Sequence, residues 1–326
     1  MKVKKVETKV ILSLFVLAGL IGALSLAIAG DLEPSAPPAA TMKTLDEVEP
    51  RIPIHQADLP LTINQSGSYY LTEDATAIGT AITVDVDNVT IDLMGYSLIG
   101  PGGGSTRGIL ITEQKNVEIR NGTIRQFGYG IYENNALGAQ HRVVDVRAVS
   151  NVITGINLIG FGHLVKDCTA SENDAHGISV WAGCTVTGNT ARDNGGIGIF
   201  VTTGCTVTGN TAYNNEKTGI AAGTACTVTG NTLYLHNQSD AVDCAGISVN
   251  TGCLVKGNTL RSNKRNNIYL IGSDNAIEEN LLTNSDNGIY FALTGNFYTN
   301  NRVSGSITPY NDVPGTNVDG GGNVSF

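Results

Sequence analysis

Strong helix formers are scarce in this chain once its first thirty residues are passed. Runs rich in Ala, Leu, Glu and Lys do not recur, which excludes helical bundles and helical repeats. Charge is thin as well. Only 15% of the 326 residues are charged and 6% aromatic, with a single Trp. Basic residues are the scarcer sign: net charge is −9, and residues 1–29 hold four Lys and one Glu, so the remainder carries −12. Such a chain lacks the basic footprint that phosphates require, which excludes nucleic acid as a partner. It also disfavours capture of a polyanion over the whole surface. Cys-x-x-Cys, zinc-spaced Cys/His sets, phosphate loops and nucleophile elbows are all missing, so no cofactor is expected.

Glycine, in contrast, is abundant at 40 residues, and Thr, Val, Ile and Asn dominate with it. These residues favour strands and tight turns. The heptapeptide CTVTGNT begins at Cys184, Cys205 and Cys226, and CLVKGNT follows at Cys253. A Gly-Ile pair recurs with it, at Ile109, Ile131, Ile156, Ile178, Ile199, Ile220, Ile247 and Ile289. Asn267-Ile268 fills the one gap and Ala81-Ile82 opens the series. The steps are mostly 21 or 22 residues, with 25 once and 27 twice, a period that signals a solenoid.

Each period holds three short strand-like pieces that bury almost nothing alone. Stacked coils bury a continuous Ile/Val/Cys/Ala column and pair every strand with the coils above and below. On the GI-x-[VL]…[VI]-x-x-N spacing across about residues 80 to 305, the chain resembles the right-handed parallel β-helix repeat proteins of the pectate-lyase-like superfold. The resemblance implies an all-β, single-stranded, right-handed parallel β-helix of about ten coils. Residues 81–308 would form the helix, with caps at 43–80 and 309–326 that cover the raw strand edges.

The N-terminus reads as an export signal over residues 1–29. Lys2, Lys4, Lys5 and Lys9 precede the mostly apolar Val10–Ile28, and Ala27-Ile28-Ala29 offers a small-x-small cleavage site. An uncleaved membrane anchor is the alternative, since the apolar run approaches the length of a bilayer span. Residues 30–42 are a Pro/Ala-rich linker. Either way, the expected location is extracellular or at the cell surface, with the membrane as a partner only if the segment stays.

In that register Asn189, Asn210, Asn231, Asn258 and Asn280 form one amide ladder, beginning near Asn189 because Val146 and Cys168 stand in the earlier coils. Asn173, Asn194 and Asn215 form a second turn column. Cys184, Cys205, Cys226 and Cys253 are inward, equivalent and pointing alike, so they are read as buried thiols acting as small apolar fillers. Cys244, within an insertion, is the one placed to pair with Cys226 or Cys253.

Function falls to the outward residues. On the first strand of each coil these are Leu110, Tyr132, Asn157, Ser179, Phe200, Ala221, Ser248, Tyr269 and Tyr290, with Trp181 beside them. Tyr132, Trp181, Phe200, Tyr269 and Tyr290 suit stacking on sugar rings, and a polysaccharide or cell-surface glycan is the expected partner. Ionisable groups gather only around His236, Asp240 and Asp243, followed by Lys256, Arg261, Lys264 and Arg265. A uronan lyase needs a cation for the carboxylate and a base for the C5 proton, and calcium would join such a site. A solvated band of ion pairs is the plainer reading. The superfold's polygalacturonase signatures are absent, and Gly162-His163-Leu164 keeps half of one. Asp174-Ala175-His176-Gly177 shares only the Asp and His of the alginate-epimerase Asp-Pro-His-Glu and reads as a turn. The leading expectation is therefore a non-catalytic binder of extended carbohydrate, with a lyase or a structural spacer as alternatives.

Overall fold

The computed structural model of the protein describes residues 50–237, 243–312 and 315–326. The export segment, the linker, residues 43–49 and Asp240 lie outside the described residues.

Arg51–Phe326 forms one compact unit of short strands, and all strand pairings in it are parallel. Twelve strands make one sheet, from Leu61–Ile63 to Thr308–Asp312, and 23 make the other. The larger sheet is two rows, joined where the strands Val117–Arg125 and Arg142–Val149 run unbroken through the intervening turn. Each coil therefore contributes one strand to the first row and one each to the second and third. The chain is an all-β, right-handed parallel solenoid. Twelve rungs at about 4.8 Å per step make its ladder on the order of 50 Å long.

The first-row pairing runs Ile82, Ile109, Ile131, Ile156, Ile178, Ile199, Ile220, Ile247, Ile268, Ile289 in one column, as the Gly-Ile spacing predicts. Segments expected to cap the ends also carry rungs: Leu61–Ile63 stacks on Ile82–Val84, and Thr308–Asp312 on Asn287–Phe291. Inside, the Ile column faces Val165, Val186, Val207 and Val228 from the second row and Ala170, Ala191 and Ala212 from the third, all fully buried. Where a glycine precedes the Ile, as it does on eight of these ten rungs, the coil above demands it. A Cβ at Gly177 would stand 2.7 Å from the Gly198 carbonyl oxygen and 2.8 Å from the Asn194 amide nitrogen.

The heptapeptide is now readable position by position. Its TVT is the second-row strand, with Val inward and both Thr outward. Its Gly (Gly188, Gly209, Gly230) turns the chain in the left-handed region, where Asp167, Glu279 and Asn300 stand on other rungs. Its Asn enters the amide ladder, and its last Thr opens the third row. In that ladder Asn210 Oδ1 accepts the backbone N–H of Asn189 at 2.9 Å and its side-chain amide at 3.0 Å. The pattern repeats through Asn231, Asn258, Asn280, Asn301 and Asn323, and begins where Cys168 N–H donates to Asn189.

The four repeat cysteines are buried free thiols packed in the apolar core, as expected, and they carry hydrogen bonds as well. They occupy a turn column in which each side chain accepts the backbone N–H of the coil before: Cys184 N–H donates to Cys205 Sγ, Cys205 to Cys226 and Cys226 to Cys253, all at 3.4 Å. His141 and His163 hold this place earlier, and Asn275, Asn296 and Asn317 later. Sulfur here substitutes for an imidazole nitrogen or an amide oxygen, and it donates in turn, as from Cys205 to the Trp181 carbonyl at 2.8 Å. The expected pairing of Cys244 with Cys226 or Cys253 is corrected: all six cysteines are buried free thiols.

Candidate functional site

Successive outward positions of the first row fall in strict register. Tyr132, Asn157, Ser179, Phe200, Ala221, Ser248, Tyr269 and Tyr290 stand one above another, because parallel strands repeat each side chain's direction at every rung. Size varies sharply along this column. Phe200 is followed by Ala221 and Ser248, then by Tyr269 and Tyr290. Two small residues between large rings leave an open groove of about 380 Å³, bordered by Phe200, Thr202, Asn250 and Ile271 and floored by Ala221 and Ser248. None of its lining residues is ionisable.

Trp181 is 42% exposed and follows Val180, which pairs with Val201, so its rung neighbour is the groove residue Thr202. At the other end, the Tyr269 and Tyr290 rings sit 5.3 Å apart, tilted by 55°. Burial, and secondarily the Asp243 carboxylate, raises the Tyr269 phenol above its ordinary value. Tyr132 stands apart from this group, three rungs before Phe200. It packs on Tyr129 at 4.4 Å and lies under the Arg107 guanidinium at 5.2 Å. Of the five expected aromatics, Phe200 lines the groove, Trp181, Tyr269 and Tyr290 stand on neighbouring rungs, and Tyr132 lies elsewhere.

Among the described residues the ionisable candidates are spread over different rows and turns. Lys256 projects from the second row, with its ammonium 3.1 Å from a carboxylate oxygen of both Glu278 and Glu279; those partners, Glu279 first, hold its pKa above the usual value. Arg261 lies on the third row. Lys264 and Arg265 belong to the turn that leads into the first-row strand Asn266–Leu270. His236 is fully buried and serves the second turn column as an amide substitute. Its Nδ1 accepts Asn215 N–H at 3.3 Å, and its own N–H donates to Asn263 Oδ1 at 3.1 Å. Burial lowers its pKa to about 4. As a proton acceptor for a bound substrate it is out of reach.

The same holds for a pairing that sequence reading overlooked. Glu133 and His141, both sealed from solvent, meet at 3.1 Å, and His141 stacks on His163 at 4.9 Å. Because His141 Nδ1 accepts Val117 N–H, its proton sits on Nε2 and points at Glu133. The Glu133 carboxylate also takes N–H donors from Asn135 and Glu113. This network closes a turn. His176 is more open, 6.2 Å from the Phe200 ring, but its Nδ1 is occupied by Ile197 N–H. Burial first, then Lys217, lowers its pKa. Among the described residues no three His, Cys, Asp or Glu side chains are grouped to hold a metal ion, and no helix is long and apolar enough to cross a membrane.

A second aromatic array lies on the third row. Arg192, Tyr213, Tyr234 and Arg261 are register partners, and the two tyrosine rings stack at 4.9 Å with only 6° between planes. The sequence signal was there, in TAR, TAY, TLY and TLR at one repeat position. It goes unseen when only the first strand of each coil is inspected for outward side chains.

The family described as right handed beta helix region matches residues 79–234. No curated protein matches the sequence. Among solved structures, the chain is similar to the Azotobacter vinelandii mannuronan C-5 epimerase AlgE6 A-module, at 18% identity and TM-score 0.56, covering 85% of this chain and 88% of that one. The periplasmic alginate epimerase AlgG aligns at 13% identity and TM-score 0.61, covering 85% and 77%. A DFA-IIIase from Arthrobacter chlorophenolicus A6, without its lid, aligns at 15% identity and TM-score 0.61, covering 73% and 78%. The twelve stacked parallel rungs give this chain the right-handed parallel β-helix fold, in agreement with the family match over residues 79–234 and with the solved structures.

Proposed function

We propose that the protein binds an extended saccharide along the outer face of its first row, and that it acts there by binding rather than by bond cleavage. The observation that carries this reading is the groove beside Phe200: aromatic at that end, small at its floor, free of ionisable lining residues, and followed in the same column by Tyr269 and Tyr290. Sugar rings present flat C–H faces that pack on aromatic rings, while hydroxyls find Thr202, Ser248 and Asn250. From Phe200 to Tyr290 the column spans four steps, roughly 19 Å, enough for several consecutive sugar rings. Proton abstraction or leaving-group protonation needs a titratable group within hydrogen-bond reach of the ligand; the groove lining supplies none, and from Phe200 to Tyr290 the titratable members of the column are the Tyr269 and Tyr290 phenols, the first held above its ordinary value by burial. The mannuronan and alginate named for the epimerases of similar fold support a saccharide as the ligand class. Export to the cell exterior, expected from residues 1–29, fits a glycan partner.

Retention on polysaccharide affinity gels tests the proposal. Phe200→Ala and Trp181→Ala should each weaken retention about tenfold. A wild-type protein retained by no glycan leaves the structural-spacer reading in its place. A rise in ultraviolet absorbance from an unsaturated product, with pectate or alginate as substrate, would establish the lyase instead.

A further inference from the structure

The third row carries a cleft with different chemistry. It measures about 420 Å³ and is lined by Thr232, Tyr234, Leu235, Thr259, Arg261 and Ser262, with Leu233 beneath. Tyr213 does not line it, so the cleft lies against the Tyr234 face turned away from the Tyr213–Tyr234 stack. The column's next member, Arg261, is not laid over the Tyr234 ring, and the stack ends in open space one rung before the guanidinium.

Two features of the cleft are hard to account for by folding alone. The column's cations differ in their pairing. Arg192 is tied to Asp193 at 2.5 Å and to Glu172 at 3.6 Å. Arg261, exposed, has no side-chain hydrogen bond, ion pair or ring contact among the described residues. The second feature is Leu235. Its turn position demands left-handed backbone, and other rungs meet the demand with Gln126, Ser150, Glu172, Asp193, Asn214, Ser262, Asn284 and Gly305. Leu235 alone sets a bulky apolar side chain there, at φ 60° and 43% exposed. A large apolar residue in that conformation is strained, and its exposure gains no burial in return.

We infer that this cleft binds a sugar ring bearing an anionic substituent. The ring lies on the open face of Tyr234 with its C–H edge against Leu235. The Arg261 guanidinium takes the acidic group in a charge-assisted pair, and Thr232, Thr259 and Ser262 meet the hydroxyls. The cleft volume falls in the range of small-ligand sites. An uncharged sugar would leave Arg261 unused, and an anion without a ring would leave Tyr234 and Leu235 unused. The site stands on the third row, away from the Phe200 groove, and does not depend on that groove's role.

Calorimetric titration of the full-length chain distinguishes the outcomes. The probes are an oligogalacturonate for a carboxylate, a carrageenan oligosaccharide for a sulfate, and methyl-esterified oligogalacturonate as the neutral counterpart. One acidic probe should bind, more weakly as salt rises. Arg261→Gln should lower its affinity about tenfold, and wild type should likewise prefer it over the ester about tenfold. Leu235→Asn installs the residue type of a neighbouring rung, so the fold is retained or strengthened while affinity drops. Phe200→Ala should leave the affinity unchanged. The inference is overturned if neither acidic probe binds, if Arg261→Gln and Leu235→Asn bind like wild type, or if Phe200→Ala abolishes the binding.

Discussion

Replacing Asn210 by Ala isolates what the amide ladder contributes. The side chain is 1% exposed. Its Oδ1 accepts two hydrogen bonds from Asn189, one backbone and one side-chain, and its Nδ2 donates to the Val186 carbonyl at 2.9 Å and Asn231 Oδ1 at 3.0 Å. Truncation strands the Asn189 backbone N–H and one of its amide hydrogens in a place water does not reach. At about 1–3 kcal/mol for each unsatisfied buried group, the loss should be on the order of 2–6 kcal/mol. Asn323→Ala supplies the contrast. It ends the same ladder, also accepting two bonds from Asn301, but it is partly exposed, so water can replace it and the cost should stay below about 1 kcal/mol. Guanidinium unfolding followed by far-ultraviolet circular dichroism reads both, with the m-value checked because stacked coils need not unfold as one unit. If Asn210→Ala costs no more than Asn323→Ala, the ladder is decoration on a fold held by its apolar column alone.

Other outcomes follow from the buried histidines and thiols. Burial, with His141 second, keeps the His163 pKa at about 4, and burial does the same for His236. The unfolded chain takes those protons from about pH 6.5, so this contribution to stability is complete above that value and is lost as pH falls towards 4. Unfolding midpoints at about pH 7.5 and about pH 5 should therefore differ, and His236→Asn should narrow the difference; an equal gap in the variant contradicts the assignment. Maleimide labelling should find the six thiols inert in the folded protein and all six reactive in denaturant. Burial pushes the Cys168 thiol up to about 12, which adds to its inertness. A count below six after unfolding would mean that a disulfide exists.

How much of this was legible beforehand follows from what a repeat encodes. The Gly-Ile period located eight of the twelve first-row rungs directly and two more, at Ile82 and Ile268, by their spacing, because an inward isoleucine recurs on each and the glycine that clears the next coil usually goes with it. The rungs at Leu61–Ile63 and Thr308–Asp312 lack that pair and were seen only as ends. Asn189 to Asn280 could be aligned by spacing alone. That Asn, Cys and His share a task could not, since an amide oxygen, a thiol sulfur and an imidazole nitrogen have no likeness as letters. Their equivalence lies in the backbone N–H each receives from the coil below. His236 illustrates the cost: beside Asp243 in sequence it resembles a base, and in the fold it is an interior turn residue.

The amino-acid sequence by itself determined the architecture, since a period near 21 residues with inward Ile, Val and Ala has one economical way to bury them and pair every strand. It also determined which side chains share a column, because parallel stacking carries each repeat position straight up the rod. Tertiary structure decided what the columns can do. Side-chain volume on successive rungs opens the groove at Ala221 and Ser248, and ion pairing occupies Lys256 and Arg192 while Arg261 has no ion pair among the described residues. Those outcomes depend on which neighbours lie above, below and across the turn, and such distances exist only once the ribbon is wound.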